Sequence, residues 1–320
     1  MTPAVSIVLP TFNRLQFLRA AVDSVFKQTF SDWELIIADD GSEAETLAFL
    51  AQLETREQVR LLRMTHSGNP SAVRNTAIRA ARGRYVAFLD SDDVWLSDKL
   101  RLQVAAHAAC PKRRWSYTAL ARIDAGGLPM RDGLGLNWTP HEGDIFEPLL
   151  TLAASVATPT VMIERQLLQE LGGFDEQQPY FEDYDLWLRL SLQSDVILVD
   201  VPLALIRNHS EHYSSDRIRV YEARFRLLDK NSAHVGSPRL RDAMRIARAT
   251  TAGSLALVAA VAGMRGYALR MLWRSRLCAL KSRVWWPRAA STVLRIVLPY
   301  WLQETARKRR RQRRALAAAP

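Results

Sequence analysis

Three carboxylates in four residues, Asp90, Asp92 and Asp93, close the apolar run Tyr85–Leu89 in the segment YVAFLDSDD. Like charges at this spacing repel, and an ion that is desolvated without a partner costs several kcal/mol by order of magnitude. A bound divalent cation relieves both costs, because hard cations such as Mg²⁺ and Mn²⁺ take oxygen donors. The same residues also suit a solvated acidic turn entering a helix, with Ser91 or Asp92 as its N-cap and Asp93 at the helix start. This segment alone leaves the two readings open.

Two further groups could do chemistry. In PYFEDYDLWLRL, Asp183, Leu186, Trp187 and Leu190 fall at i, i+3, i+4 and i+7, so Asp183 heads the apolar stripe of a helix and Glu182 lies at its edge. The helix dipole favours a carboxylate in the first turn, while adjacent apolar surface raises its pKa towards the range of a general base. Acids that merely decorate a helix start are the alternative. Arg207-Asn208-His209 follows the strand-like Leu203–Ile206 and opens a polar loop. A histidine there is commonly only surface; beside a carboxylate cation site, His209 becomes a candidate remote ligand, with His212 as the fallback.

The elements that must position these groups alternate. Val5–Leu9, Leu35–Ala38, Val59–Leu62 and Tyr85–Leu89 are apolar runs, and between them Phe17 to Phe26, Leu47 to Leu53 and Ala72 to Ala81 have helical spacing. Strand, helix, strand at this pitch predicts an α/β fold whose mainly parallel sheet is flanked by helices. Ligands of such sheets bind outside the carboxyl ends of the strands. Those ends carry Pro10, Thr11 and Asn13; Asp39, Asp40, Gly41 and Ser42; and Asp90, Ser91 and Asp92. Beyond Trp115 the pattern is mixed and glycine-rich. A strand is expected over Ala157–Ile163, a short helix over Gln166–Leu171 stopped by Gly172-Gly173, a helix from Phe181 to Leu192, and a strand over Val196–Val201 ending before Pro202. Everything past Ser215 reads as helix.

With 320 residues, 48% of them hydrophobic, the chain can bury a large core. Its two cysteines, Cys110 and Cys278, exclude a disulfide framework and a cysteine zinc cluster and agree with a reducing compartment. MTPAVSIVLP has no basic n-region and only a short apolar run, so no secretory signal is expected and the catalytic part is expected in the cytoplasm. The net charge of +11 is unevenly divided: residues 236–320 hold 19 Lys and Arg against Asp242 and Glu304, whereas residues 1–235 are net acidic. Opposite charge suggests two jobs.

Six segments in order, SIVLPTFNR, ELIIADDGS, HSGNPSAVRNTAI, GRYVAFLDSDD, GGFDE and FEDYDLWLRL, resemble the family 2 glycosyltransferases over roughly residues 4–215. The resemblance implies a GT-A fold and an inverting, Mn²⁺- or Mg²⁺-dependent enzyme that uses a nucleotide-sugar donor, a UDP-sugar being expected. It implies that Pro10, Thr11, Asn13, Asp39 and Asp40 stand at the nucleotide, that Gly68 and Arg74 contact it, and that Asp90-Ser91-Asp92 is the D-x-D element. Within that element, Asp90 and Ser91 would meet the ribose side and Asp92 the metal, with His209 of the R-x-H element helping to hold the ion. Asp183 matches the catalytic base, supported by Glu182, with Asp175 near the acceptor. His66-Ser67-Gly68 departs from the usual N-x-G, though Gly68 keeps the flexible backbone.

The basic C-terminal region completes the expected organisation: a catalytic domain over 1–215, a helical region over 216–306 and a basic tail over 307–320. Residues 249–264 are uncharged but short of the roughly 20 residues that cross a bilayer, so a buried helix is expected rather than a re-entrant one. Arginines interleaved with Trp285-Trp286 and Tyr300-Trp301, and seven cations between Arg307 and Arg314, suit an anionic membrane surface on the inner face of the cell membrane. A saccharide or lipid-linked acceptor of a cell-surface polysaccharide or glycolipid would be met there. Nucleic acid is the rival partner for such a charge run; it is disfavoured because the charge does not spread over the acidic first part. A nucleotidyltransferase on a similar sheet should carry a glycine-rich loop after strand one, where this chain has Thr11-Phe12-Asn13-Arg14.

Overall fold

Strands β1 (Val5–Thr11), β2 (Trp33–Asp39) and β4 (Tyr85–Phe88) are buried along nearly their whole length, which is why they read as unbroken apolar runs rather than alternating ones. The structure, a computed structural model, describes residues 2–130, 139–209 and 216–276, with Ala290 and Val293 beyond them. His212, Gly133, Gly135, Cys278, the Trp285-Trp286 and Tyr300-Trp301 pairs and the 307–314 charge run lie outside the described residues. The chain divides into two compact units, Met1–Tyr213 and Ser214–Pro320.

In the first unit one eight-stranded sheet has the order β3-β2-β1-β4-β7-β6-β8-β5, where β3 is Val59–Arg63, β5 Val94–Trp95, β6 Trp115–Ile123, β7 Met162–Glu164 and β8 Val196–Arg207. The β3-β2-β1-β4 half is parallel, β7 runs antiparallel between β4 and β6, and β6 and β8 are again parallel. Helices α1 (Leu15–Phe26), α2 (Ala44–Leu53) and α3 (Pro70–Ala80) make the crossovers between the parallel strands of the first half, and the short helices α5 (Phe146–Thr151) and α6 (Arg165–Glu170) flank β7 along the chain. Strand order reverses at β1, and a crevice between the carboxyl ends of β1 and β4 follows from that topology.

Sequence patterning and structure differ at several places. Ala157–Ile163 is not one strand: Pro159 sits in a 3₁₀ turn over Thr158–Thr160, and only Met162–Glu164 pairs in the sheet. Val196–Val201 and Leu203–Ile206 are one strand, β8, which slips register against β6 around Pro202; a residue without an N–H is accommodated at such an irregularity. Asp93 does not begin a helix. The next one, α4, spans Lys99–Ala109, and Asp93 lies 5% exposed beneath β8.

Helix α4 and strand β6 escaped periodicity because they meet through polar side chains. Lys99, Gln103 and His107, at i, i+4 and i+8, are all buried on one face of α4. Lys99 Nζ donates to Gln103 Oε1 and lies 4.3 Å from the centroid of the Trp95 ring, Gln103 Nε2 donates to Ser116 Oγ and to Thr160 O, and His107 Nε2 pairs with Ser116 Oγ at 3.0 Å. Burial holds the Lys99 ammonium well below its ordinary pKa and pushes His107 down to about 4.

Three helices make up the described part of the second unit: α8 (Arg217–Lys230), α9 (Pro238–Val261) and α10 (Arg265–Ser275). Leu255, Ala256 and Met271 form a core with Phe225, Tyr221, Ile218, Tyr267 and Leu272, and Ala259, Ala260 and Ala268 form a second small cluster between α9 and α10. Among the described residues α9 is the one helix long and apolar enough to cross a membrane, and 56% of its apolar window is buried in protein, as a packed core helix would be.

His107 sets a pH window for stability. Its unfolded form takes up a proton near 6.5 and its folded form only near 4, so stability is complete above 6.5 and falls as pH drops through that interval. The span corresponds to roughly 3 kcal/mol at most. Thermal unfolding from pH 7 to 4.5 should show a steeper decline for the wild type than for His107→Gln, and superimposable slopes would refute the assignment.

Candidate active site

The polar residues of the strand ends converge on the β1/β4 crevice. A cleft of about 320 Å³ is lined by Pro10, Thr11, Phe12 and Arg14 after β1, by Asp40, His66 and Gly68 beside β2, by Pro70, Val73 and Arg74 of α3, and by Asp90, Ser91 and Asp92 after β4. Phe12, 41% exposed, stacks on His66 with ring centroids 4.1 Å apart, which builds one wall. Thr11 Oγ1 is buried beneath the cleft without a hydrogen-bond partner, a polar atom left for a ligand or water.

Local chemistry explains this placement. Asn69 caps α3 by accepting from Ser71 N and Ala72 N, and Pro70 occupies the first turn. The Asp40 carboxylate accepts from Ser67 N, Ser67 Oγ and Gly68 N at 2.8, 2.8 and 3.0 Å, with His66 Nδ1 3.0 Å away, so it shapes the loop that frames the cleft. Gly41 is needed under that loop: its φ is +81°, and a Cβ would lie 2.9 Å from His66 N.

Arg74 ties the cleft to the helix that carries the candidate base. Its guanidinium donates to Asp90 Oδ1 at 2.7 Å and to Glu182 Oε1 at 3.3 Å, and its pKa is raised by these partners against the opposing effect of burial. Glu182 opens α7 (Glu182–Ser191), whose Leu186, Trp187 and Leu190 are fully buried. Asp183, in the first turn, is pushed up to about 7, mainly by burial and then by the Glu182 carboxylate, although Tyr184 N donates to its Oδ1 at 2.7 Å.

The metal candidates also meet. Asp92 Oδ2 lies 2.9 Å from His209 Nε2 and accepts from Arg14 at 2.8 Å, while His209 stacks on Phe17. One hard oxygen and one imidazole nitrogen on a shared focus fit Mn²⁺ or Mg²⁺ when substrate phosphates and water supply the remaining ligands. Among the described residues no group of three or more His, Cys, Asp or Glu side chains could hold an ion alone.

Other predicted residues stand apart from the cleft lining. Asn13 Oδ1 accepts from Glu43 N, and its neighbour Arg14 faces the cleft instead. The Asp39 carboxylate accepts from Ser42 N. Asp175 Oδ1 accepts from Gln177 N within its own turn. Sequence reasoning passed over Phe12, Arg14 and the support beneath. Asp93 Oδ1 accepts from Arg207 N, and Arg207 Nε returns a bond to Asp92 O, so Asp93 anchors β8 and with it the approach to His209. Asn75 receives Phe174 N and donates to Phe174 O, clamping the GGFDE turn; Gly173, at φ +73°, has room for no Cβ because Asn75 Oδ1 would be 2.5 Å away.

Comparison with known proteins decides the relationship. The model of the family described as "Glycosyl transferase family 2" matches residues 6–125. An Escherichia coli protein named "UDP-Glc:alpha-D-GlcNAc-diphosphoundecaprenol beta-1,3-glucosyltransferase" is 38% identical over 196 residues, which cover 61% of this chain and 73% of that protein. This chain belongs to glycosyl transferase family 2. Its length is not that of every relative: an uncharacterized glycosyltransferase of Rickettsia conorii is 30% identical over 206 residues, 63% of this chain but only 32% of that protein. Among solved structures, a mannosyltransferase from Pyrobaculum calidifontis in complex with GDP-Man and Mn²⁺ superposes with a TM-score of 0.62 at 19% identity, over 93% of this chain and 87% of that one. At that identity the likeness is one of fold, the GT-A fold expected from the motifs.

In this family 2 member the ionic bridge is exposed to a direct test. Arg74→Met leaves Asp90, Glu182 and Asp183 without their shared cation, and removal of one partner of a buried ion pair costs about 3–5 kcal/mol. Chemical denaturation should show a loss of that order; a change below about 1 kcal/mol would mean that the carboxylates do not depend on Arg74.

Proposed function

We propose that the chain is a metal-dependent, inverting glycosyltransferase that moves a sugar from a nucleotide-sugar, a UDP-sugar by preference, to a hydroxyl of a saccharide or lipid-linked acceptor in cell-surface polysaccharide or glycolipid synthesis. The observation that carries this reading is Arg74: it joins the cleft, through Asp90, to the helix that presents Asp183, a carboxylate whose pKa of about 7 suits a general base. The name of the Escherichia coli relative, with its UDP-glucose donor and diphosphoundecaprenol-linked acceptor, supports the donor and acceptor classes.

The cleft would hold the nucleotide against the Phe12–His66 wall and Thr11, with Asp90 and Ser91 towards the ribose. Asp92 and His209 would hold Mn²⁺ or Mg²⁺, which when bound supplies positive charge to the diphosphate oxygens. The hydrogen bond from Arg14 to Asp92 orients that carboxylate. Asp183 takes the proton of the acceptor hydroxyl as that oxygen bonds to C1; the bond from C1 to the diphosphate oxygen breaks, its electron pair leaves with the nucleoside diphosphate, and the anomeric configuration inverts. Glu182, held by Arg74, keeps the Asp183 pKa raised. We place the reaction on the cytoplasmic side, at the inner face of the cell membrane. Support comes from the basic C-terminal region and from Val261, Met264, Leu269 and Trp273, which are 44 to 64% exposed around the end of α9 and along α10.

Asp183→Asn should abolish transfer, by at least two orders of magnitude in kcat, with donor affinity retained; near-normal turnover would sink the assignment. In the wild type only the deprotonated carboxylate accepts a proton, so kcat/KM should climb with pH along a limb centred near 7, and a flat profile from 5.5 to 8.5 would contradict the role of Asp183. Asp92→Ala should remove the Mn²⁺-dependent part of UDP binding, and unchanged affinity by calorimetry with Mn²⁺ would count against its role as a ligand.

A further inference from the structure

Asp92 and His209 are tied together from behind by one buried side chain. Arg207, the last residue of β8, is 5% exposed. Its Nε donates to Asp92 O at 2.8 Å, and its Nη1 donates to Ala125 O at 3.1 Å and to Asp124 O at 3.3 Å, in the turn that follows β6. That turn is closed by its own bonds, from Gly127 N to Asp124 O and from Leu128 N to Asp124 Oδ1, so it is a firm support. The Arg207 main-chain N–H donates to Asp93 Oδ1 at 2.8 Å, and Asn208 N donates to Ile123 O. The guanidinium also lies 5.0 Å from the centroid of Phe17, the ring on which His209 stacks at 5.2 Å.

One candidate ligand is therefore two residues from Arg207 along the chain, and the main chain of the other is hydrogen-bonded to its guanidinium. The 2.9 Å separation of His209 Nε2 and Asp92 Oδ2 is set through Arg207. We propose that Arg207 is a positioning residue of the metal site: it fixes the spacing and orientation at which Asp92 and His209 meet a divalent cation, acting through them rather than on the ion. Ligand groups bind well only when their supports hold them in place, and loss of such a support commonly lowers metal affinity by about 10- to 100-fold. The planar fork of arginine suits the task, because it reaches carbonyl oxygens of two separate segments at once; a lysine ammonium is a single point of charge on a flexible stem.

The inference deepens the proposed function and rests on it for the ion. Calorimetry on the full chain would compare UDP binding with Mn²⁺ and with EDTA in the wild type, Arg207→Lys, His209→Ala and the double variant. Arg207→Lys should weaken the Mn²⁺-dependent part of UDP binding by about tenfold or more, and affinity in EDTA should stay within about twofold of the wild type. In the His209→Ala background the loss from Arg207→Lys should shrink by about threefold or more, because part of what it positions is gone. Equal losses in the two backgrounds, a matching loss in EDTA, or an unchanged Mn²⁺ dependence would each make Arg207 a staple of the fold only and overturn the inference. If Arg207→Lys does not fold, Gly127→Ala disturbs the same clamp from the turn: φ there is +90° and the Cβ would lie 3.6 Å from Arg207 Nη1. It should weaken the Mn²⁺-dependent part and spare the part in EDTA, and an unchanged Mn²⁺ dependence would again overturn the inference. A wild type that binds UDP no better with Mn²⁺ than with EDTA would sink the proposed metal dependence and this inference together, whereas a Mn²⁺-dependent wild type with indifferent variants sinks the inference alone.

Discussion

The site depends on one buried guanidinium. Arg74 holds Asp90 at the end of β4 and Glu182 at the start of α7, partners that lie 16 and 108 residues from it along the chain. Without it, Asp90, Glu182 and Asp183 would face one another with no shared cation. Its position over the Phe174 ring adds a second restraint, because the planar group is held between ionic partners on one side and an aromatic face on the other. The electrostatics of Asp183 follow: Arg74 lowers its pKa, yet burial and Glu182 outweigh it.

Helix α3 is the element through which this restraint spreads. Its cap, Asn69, also reaches Glu176 O; Arg74 reaches the cleft and α7; and Asn75 clamps the turn after Gly173. Backbone strain gathers at the same place. Asn13-Arg14 and Tyr180-Phe181 are consecutive non-glycine pairs with φ between 54° and 57°, one ahead of α1 and the other ahead of α7. The first pair turns Arg14 towards Asp92, and the second delivers Glu182 and Asp183 at the start of a helix that has no side-chain cap. Strain of this kind persists only where the surroundings over-determine it, and here ion pairs on both sides do so.

The two units divide the chemistry by charge. An acidic unit gathers Asp40, Asp90 and Asp92 around its cleft, and a basic one mixes arginine with apolar side chains in a cavity and along an exposed helix edge. Small residues in α9 and α10 let the two helices pack, with Ala259 and Ala260 against Ala268.

The parallel half of the sheet was legible because its strands are buried on both faces and its crossover helices on one. Each leaves a pattern in its own few residues. The carboxylate cluster was legible for the same reason: Asp90, Ser91 and Asp92 are adjacent, and the rule that ligands meet the carboxyl ends of parallel strands needs only their order. The α4–β6 contact was not, because Lys99, Gln103, Ser116 and His107 satisfy one another across the interface and imitate a solvated face when read singly. Asp93 looked like a helix start and is an anchor for Arg207, and Asn13 accepts from Glu43 N while its neighbour Arg14 lines the cleft. By itself, then, the sequence determined the parallel half of the sheet, the family and which residue types could do the chemistry, since these rest on periodicity, motifs and local spacing. Only the tertiary structure decided which carboxylate faces the cleft, which is desolvated and which is spent on support, because charge pairing and burial belong to contacts between segments far apart along the chain.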